Sequence, residues 1–288
     1  MPSTRPPVFA GRFYPASADA CQQLATEYFQ QPVTAAATGA IVPHAGWIYS
    51  GSTAALSITA IANTQPEVVV LFGAPHGPDP NAASVYARGT WDTPLGPLRI
   101  DQKLADRFLQ HAPLDASTTP HLHEHSIEVQ LPLLKHRLPD VKIVPILVRP
   151  GPVAAEVGRH CGEEAREYEH RVAFLGSTDL THYGPAFGFE PHGRGLAGLR
   201  WAKDVNDRRL IGLIEALDAD GVLRDAGQHH SACGSGAIAA TIGAMRALGS
   251  TQYLELRHTT STEAEAAGEP DPFNAVGYEA GVFLNPQA

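Results

Sequence analysis

Three histidines in this chain stand just behind short apolar runs. Ile41-Val-Pro leads into His44. Val68-Val-Val-Leu-Phe72 and Gly73-Ala-Pro lead into His76. Arg171-Val-Ala-Phe-Leu-Gly176 and Ser177-Thr-Asp-Leu-Thr lead into His182, with Asp179 on the way. Imidazole is the commonest neutral metal ligand and works best when its second nitrogen is held by a partner. One such histidine reads equally well as a ring bonded to a backbone carbonyl; three in one context point to a site. Cys233 lies in His229-His-Ser-Ala-Cys-Gly-Ser-Gly236, ahead of a small-residue helical pattern. Amide dipoles at a helix start favour the thiolate, so Cys233 suits a metal ligand or a nucleophile served by a nearby histidine such as His230. A last cluster is His121-Leu-His-Glu-His-Ser-Ile-Glu128. Glu124 and Glu128 are four apart and are expected on one helix face, either capping the helix or supplying acid/base groups or a carboxylate ligand.

These residues need elements to carry them. The apolar runs at 40–43, 68–72, 142–148 and 171–176 are expected as strands, continuous enough to be covered on both faces. Helices are expected over 17–31, 52–63, 101–111, 124–138 (bent or restarted near Pro132), 152–169, 203–217 and 237–248. Residues 253–257 and 277–284 are expected to close the sheet, and the acidic piece 263–271 to be solvated. Residues 78–98, rich in Pro, Gly and Asn, read as a long excursion of the kind that is often functional. Strand and helix alternate through most of the chain. That predicts a three-layer α/β/α fold with a mostly parallel or mixed central sheet, as one domain over 1–288. Ligands in such folds sit at the carboxyl ends of the strands, which is where His44, His76, Asp179 and His182 would meet.

Composition narrows the classes. Of 288 residues, 43% are hydrophobic and 18% charged, an ordinary globular balance. A net charge of -9 without basic clusters argues against nucleic acid. No run reaches the ~18 apolar residues of a membrane helix. The first residues lack a signal peptide's apolar core, and three cysteines make no disulfide framework, so a reducing, cytoplasmic setting is expected. Gly193-Arg-Gly-Leu-Ala-Gly198 matches a dinucleotide fingerprint literally but follows no strand.

The chain resembles the MEMO family, related in fold to the class III (LigB-like) extradiol dioxygenases. The resemblance runs through Ala10-Gly-Arg-Phe-Tyr-Pro15, Val42-Pro-His-Ala-Gly46, Tyr49-Ser-Gly51, Gly73-Ala-Pro-His76, Trp91-Asp-Thr-Pro-Leu-Gly96, Glu124-His-Ser-Ile-Glu-Val-Gln-Leu-Pro132, Val144-Pro-Ile146, Ser177-Thr-Asp-Leu-Thr-His182 and Cys233-Gly234, nearly the whole length. It implies a metal pocket with His44, His76 and Cys233 as ligands, lined by Asp179 and His182. His125 or His182 would be the acid/base group. The metal implied is divalent, iron first, with copper and zinc as alternatives. A thiolate in place of the dioxygenases' carboxylate departs from their two-histidine, one-carboxylate set. The resemblance also implies AMMECR1-like and radical SAM pathway partners. Three functions are thus expected: oxidation of a small molecule in a dioxygenase-like reaction; binding of a peptide or metal without turnover, in a groove of Trp47, Tyr49, Trp91 and Tyr183; or hydrolysis by Cys233 with His44 or His182.

Overall fold

Alternation within the apolar runs sets the layers. In a strand, successive side chains point to opposite faces. Val69, Leu71, Ile143, Leu147, Ala173 and Leu175 pack into one core, while Val68, Val70, Phe72, Val144, Ile146 and Phe174 pack into another. The computed structural model describes residues 4–79, 81–264 and 268–284. Its elements in order are β1 (Thr4–Arg5), α1 (Ala18–Tyr28), β2 (Gly39–Val42), α2 (Trp47–Ala62), β3 (Val68–Gly73), β4 (Ala83–Val85), β5 (Thr90–Trp91), β6 (Leu98–Arg99), α3 (Gln102–His111), β7 (Asp115–Ala116) and α4 (Leu131–Arg137). There follow β8 (Lys142–Val148), α5 (Ala154–Arg166), β9 (Val172–Ser177), β10 (His182–Tyr183), α6 (Leu196–Trp201), α7 (Arg208–Glu215), α8 (Ala219–His229), α9 (Ser235–Ala247), β11 (Gln252–Thr260) and β12 (Ala275–Leu284).

The large sheet runs β10-β12-β2-β9-β3-β8-β4-β7, with β11 also on β12. Its centre, β2-β9-β3-β8, is parallel; β12 and β4 flank it antiparallel, and β11 and β10 pair antiparallel with β12. The sheet is therefore mixed, with helices on both faces. Helices α1, α2 and α4 cover one core, and α3, α5, α7, α8 and α9 the other. Because β2, β9 and β3 are parallel neighbours, the residues after Val42, Ser177 and Gly73 emerge side by side. That topology brings His44, Asp179 and His76 to one edge. No helix among the described residues is long and apolar enough to cross a membrane.

Several expectations are corrected. Helix α2 starts at Trp47 rather than 52, so the Tyr49-Ser-Gly51 motif lies in its first turns. Gly51 belongs there because a Cβ would sit 2.4 Å from the Tyr28 ring. Residues 124–127 are not helical; a 3-10 turn (Glu128–Gln130) precedes α4, so Glu124 and Glu128 do not share a face. The helix expected over 203–217 is a π-helical turn (Ala202–Asp207) followed by α7, and α6 runs directly into it from before the expected start. Helix α8 had no counterpart in the sequence reading. Trp47, Trp91 and Tyr183 are at most 1% exposed, so of the four aromatics proposed for a groove only Tyr49 reaches solvent. Trp91 instead stacks under the Arg5 guanidinium, 4.1 Å from its ring centre.

Candidate metal centre

The site is assembled from strand ends. Val42 closes β2, Pro43 follows, and His44 lies buried with its backbone N–H donating to Asp179 Oδ1 at 2.7 Å. Its ring Nδ1 is 3.0 Å from Ser177 Oγ. That hydroxyl donates its own proton to Ser126 O at 2.6 Å, so it accepts from Nδ1. The His44 tautomer follows: Nδ1 carries the proton and Nε2 keeps its lone pair. Gln130 braces the same corner, donating from Nε2 to Pro43 O at 2.7 Å and to Ser177 Oγ at 3.3 Å.

His76 is fixed in the same way by a carboxylate. Glu124 Oε1 lies 3.0 Å from its Nδ1, and Glu124 Oε2 accepts its backbone N–H at 2.6 Å. The same Oε1 is 3.3 Å from Nδ1 of His125. Glu124 thus orients the His76 imidazole through Nδ1 and stands beside the His125 ring, the arrangement that fixes metal-binding histidines elsewhere. Gly73 lets the 124–128 segment approach, since a Cβ there would meet Ile127 at 2.5 Å and Ser126 Oγ at 2.8 Å. Behind it, Glu128 accepts from Tyr14 Oη at 2.6 Å, from Phe9 N at 2.7 Å and from Arg5 Nη1 at 2.5 Å. Of the readings open for this pair, helix capping does not hold: Glu124 orients the His76 ring and Glu128 is a buried anchor.

His44, His76 and His125 come together with ligand atoms within 4.8 Å of one another. Their ring centres are 5.2, 5.2 and 4.5 Å apart. Cys233 stands against this group, Sγ 3.2 Å from His44 Nε2 and accepting from Asp179 N at 3.3 Å. It is pinned ahead of α9 by bonds from its own N to Asp179 O and from Gly234 N to Thr178 Oγ1. His182 donates from Nδ1 to Leu180 O at 3.0 Å, which fixes its ring with Nε2 turned away from that bond. Asp179 and His182 line the cavity that opens onto His125. All six residues singled out from the sequence share this place. His125, read there as an acid/base group, sits as the third nitrogen beside His44 and His76.

The electrostatics favour neutral donors at two positions. Burial, then the neighbouring imidazoles, holds His44 well below the usual histidine range. Burial and His76 bring His125 down to about 4. At His76 burial also pulls downward, but Cys233 and Glu124 outweigh it and push the ring up to about 10. Burial raises the Cys233 thiol. Glu124 is lowered to about 2, because its bonds to His76 and Ser126 outweigh burial. The donor set fits a metal ion: three imidazole nitrogens, with His44 and His76 held at Nδ1 and Glu124 beside Nδ1 of His125, and a thiol alongside. Nitrogen donors of this type suit iron, copper and zinc.

A further layer carried no local signal in the sequence. The π turn presents Asn206 and Asp207 to the 179–182 loop, with Asn206 Nδ2 donating to Thr181 Oγ1 at 2.9 Å and Thr181 N to Asp207 Oδ1 at 3.0 Å. His258 Nε2 lies 3.0 Å from Asp207 Oδ2, both side chains fully buried. π turns recur at functional sites.

The Memo-like protein family model matches residues 5–282. The chain belongs to the Memo-like family. A MEMO1 family protein of Thermoplasma acidophilum is 34% identical over 98% of this chain and 99% of its own length. One of Pyrococcus furiosus is 33% identical over 89% and 92%, and one of Methanopyrus kandleri 32% over 97% and 98%. Among solved structures, an uncharacterized Escherichia coli K12 protein is similar in fold, with a TM-score of 0.50 at 15% identity over 85% of this chain and 98% of that one. Memo-like membership agrees with the motif order read from the sequence.

Proposed function

We propose that this Memo-like protein is a metal-dependent oxidoreductase acting on a small molecule in a dioxygenase-like reaction. His44, His76 and His125 would hold a divalent redox-active metal, iron first and copper as the alternative, with Cys233 as an added donor; zinc at the same donors would fit only the binding or hydrolytic readings. One observation carries the reading: three imidazoles converge while partners hold His44 and His76 at Nδ1 and Glu124 lies beside Nδ1 of His125. The metal would supply one-electron chemistry and open positions for O₂ and substrate. The chain's residues supply the rest. Ser177 and Glu124 orient the rings, Asp179 ties the His44 backbone to the loop after β9, and His182 offers Nε2 to the cavity as a proton acceptor. Function with AMMECR1-like and radical SAM proteins, in a reducing compartment, belongs to the same proposal. Sustained, substrate-dependent O₂ uptake by iron-loaded protein across catechols and other reduced aromatics is the expected result. Its absence for every candidate with full iron occupancy would favour a binding role without turnover.

A second reading is favoured by the 3.2 Å approach of Cys233 Sγ to His44 Nε2, the spacing of a nucleophile and its base. Hydrolysis by metal-free protein that Cys233→Ser abolishes would replace the first reading. Hydrolysis indifferent to that change would remove the second.

A further inference from the structure

The cavity beside the histidine cluster has a volume of about 480 Å³, within the range of small-molecule sites. Its floor is His125, Asp179 and His182, and its walls carry Phe13, Tyr49, Phe187 and Tyr278. Tyr49 and Phe187 are 40% and 43% exposed, apolar surface that a flat ligand would cover. Glu269 and Asp271 also line it, and no Lys or Arg is among the described lining residues. Asp271 is locked in place, accepting from Phe273 N, Asn274 N and Asn274 Nδ2 at 2.8–3.0 Å. Arg200 and Lys203 line the neighbouring groove instead, where Lys203 Nζ is 2.5 Å from Glu263.

Apart from the histidine cluster and the metal it would hold, the feature that would ordinarily attract an anion is already used. Helix α2 points its amino end at the cavity through Ala45 and Gly46, and such ends bind carboxylates and phosphates. Here Asp179 takes the amides of His44 and Ala45, and Phe13 O takes that of Trp47 at 2.7 Å. The protein's own carboxylate fills the anion seat.

We propose that this cavity binds a small aromatic ammonium compound and discriminates against aromatic carboxylates and phosphates. Aromatic walls attract both the arene and a cation, and the carboxylates lining the cavity complement the positive end. The proposal rests on the small-molecule reading above and adds the charge of the ligand.

The test is calorimetric titration of the protein as purified with a matched pair of phenols, 2-(4-hydroxyphenyl)ethylamine and 3-(4-hydroxyphenyl)propionate, at low and high salt. Wild type is expected to bind the amine about tenfold more tightly, with the preference shrinking in salt. Glu269→Lys, on an exposed residue, is expected to weaken amine binding by about fivefold and to strengthen carboxylate binding. Equal or tighter carboxylate binding, no binding of either probe, or constants unmoved by Glu269→Lys would overturn the proposal. Metal content of these samples, and O₂ uptake by iron-loaded protein with the 3,4-dihydroxyphenyl counterparts of both probes, separate the two claims. Amine preference without uptake at full iron occupancy sinks the oxidoreductase reading alone, and uptake confined to the carboxylate sinks the ligand assignment alone.

Discussion

Single side chains decide whether this site can take a metal. Ser177 and Glu124 matter as much as the rings they hold, because they dictate which nitrogen faces inward. The histidines were legible in the sequence from their position behind apolar runs. Ser177 was visible only as part of a motif, and the role of Glu124 was blurred by an assumed helix. Its partner His76 is 48 positions away, a separation that no local pattern encodes. Glu124→Gln is expected to lower metal affinity by roughly 10–100-fold without unfolding the chain, read by competition with a chelator of known affinity. An unchanged affinity would remove Glu124 from the ligand-orienting role. A different residue sets a pH limit on stability. Burial pushes the Glu279 carboxyl from 4.5 up to about 8, despite a hydrogen bond from Tyr253. An acid with a raised folded pKa stabilises the fold fully below its unfolded value and loses that contribution as pH rises toward 8. Glu279→Gln should therefore raise the melting temperature at pH 9 relative to wild type and change it little at pH 4. A lower melting temperature at pH 9 would contradict this.

Among elements, the parallel run β2-β9-β3 does most to build the site. Continuous apolar strands announced it in the sequence, and the rule that parallel strands share a carboxyl edge places the motifs together from the sequence. The antiparallel flanks, the π turn and α8 were not legible, because pairing partners and a one-residue widening of a helix leave no periodicity of their own. Helix α9, which presents Cys233 ahead of its first turn, is held by unusually close packing on α5. A Cβ on Gly158 would lie 1.7 Å from Ala240 O, and one on Gly243 would lie 2.1 Å from Ala155 O. Gly158→Ala cannot be absorbed by a rotamer change, since the obstacle is backbone. A loss of about 3 kcal/mol or more is expected in denaturant titrations, with Cys233 becoming more reactive to alkylation as α9 shifts. A substitution neutral in both measurements would show that the two helices can separate freely.

For the whole molecule, the N-terminal lead-in behaves as a strap across the metal site's rear wall. Arg5 bonds the carbonyls of His121 and Glu124 and pairs with Glu128, with both side chains 1% exposed. Arg5→Met would leave Glu128 buried beside Tyr14 without its cation, and a cost of about 3–5 kcal/mol is expected from thermal or denaturant unfolding. The motif Ala10-Gly-Arg-Phe-Tyr-Pro15 was visible in the sequence only as one of the motifs of the resemblance; its Tyr14 Oη, with Phe9 N just ahead of it, reaches Glu128 across more than a hundred residues. The fold, the strap and the strand-end loops all serve one claim, that His44, His76 and His125 form a metal centre. Metal analysis of anaerobically purified wild type and His44→Ala tests it most directly. Close to one equivalent of metal in the wild type and loss of nearly all of it in a folded His44→Ala protein is the predicted result. Full occupancy retained by His44→Ala would contradict it.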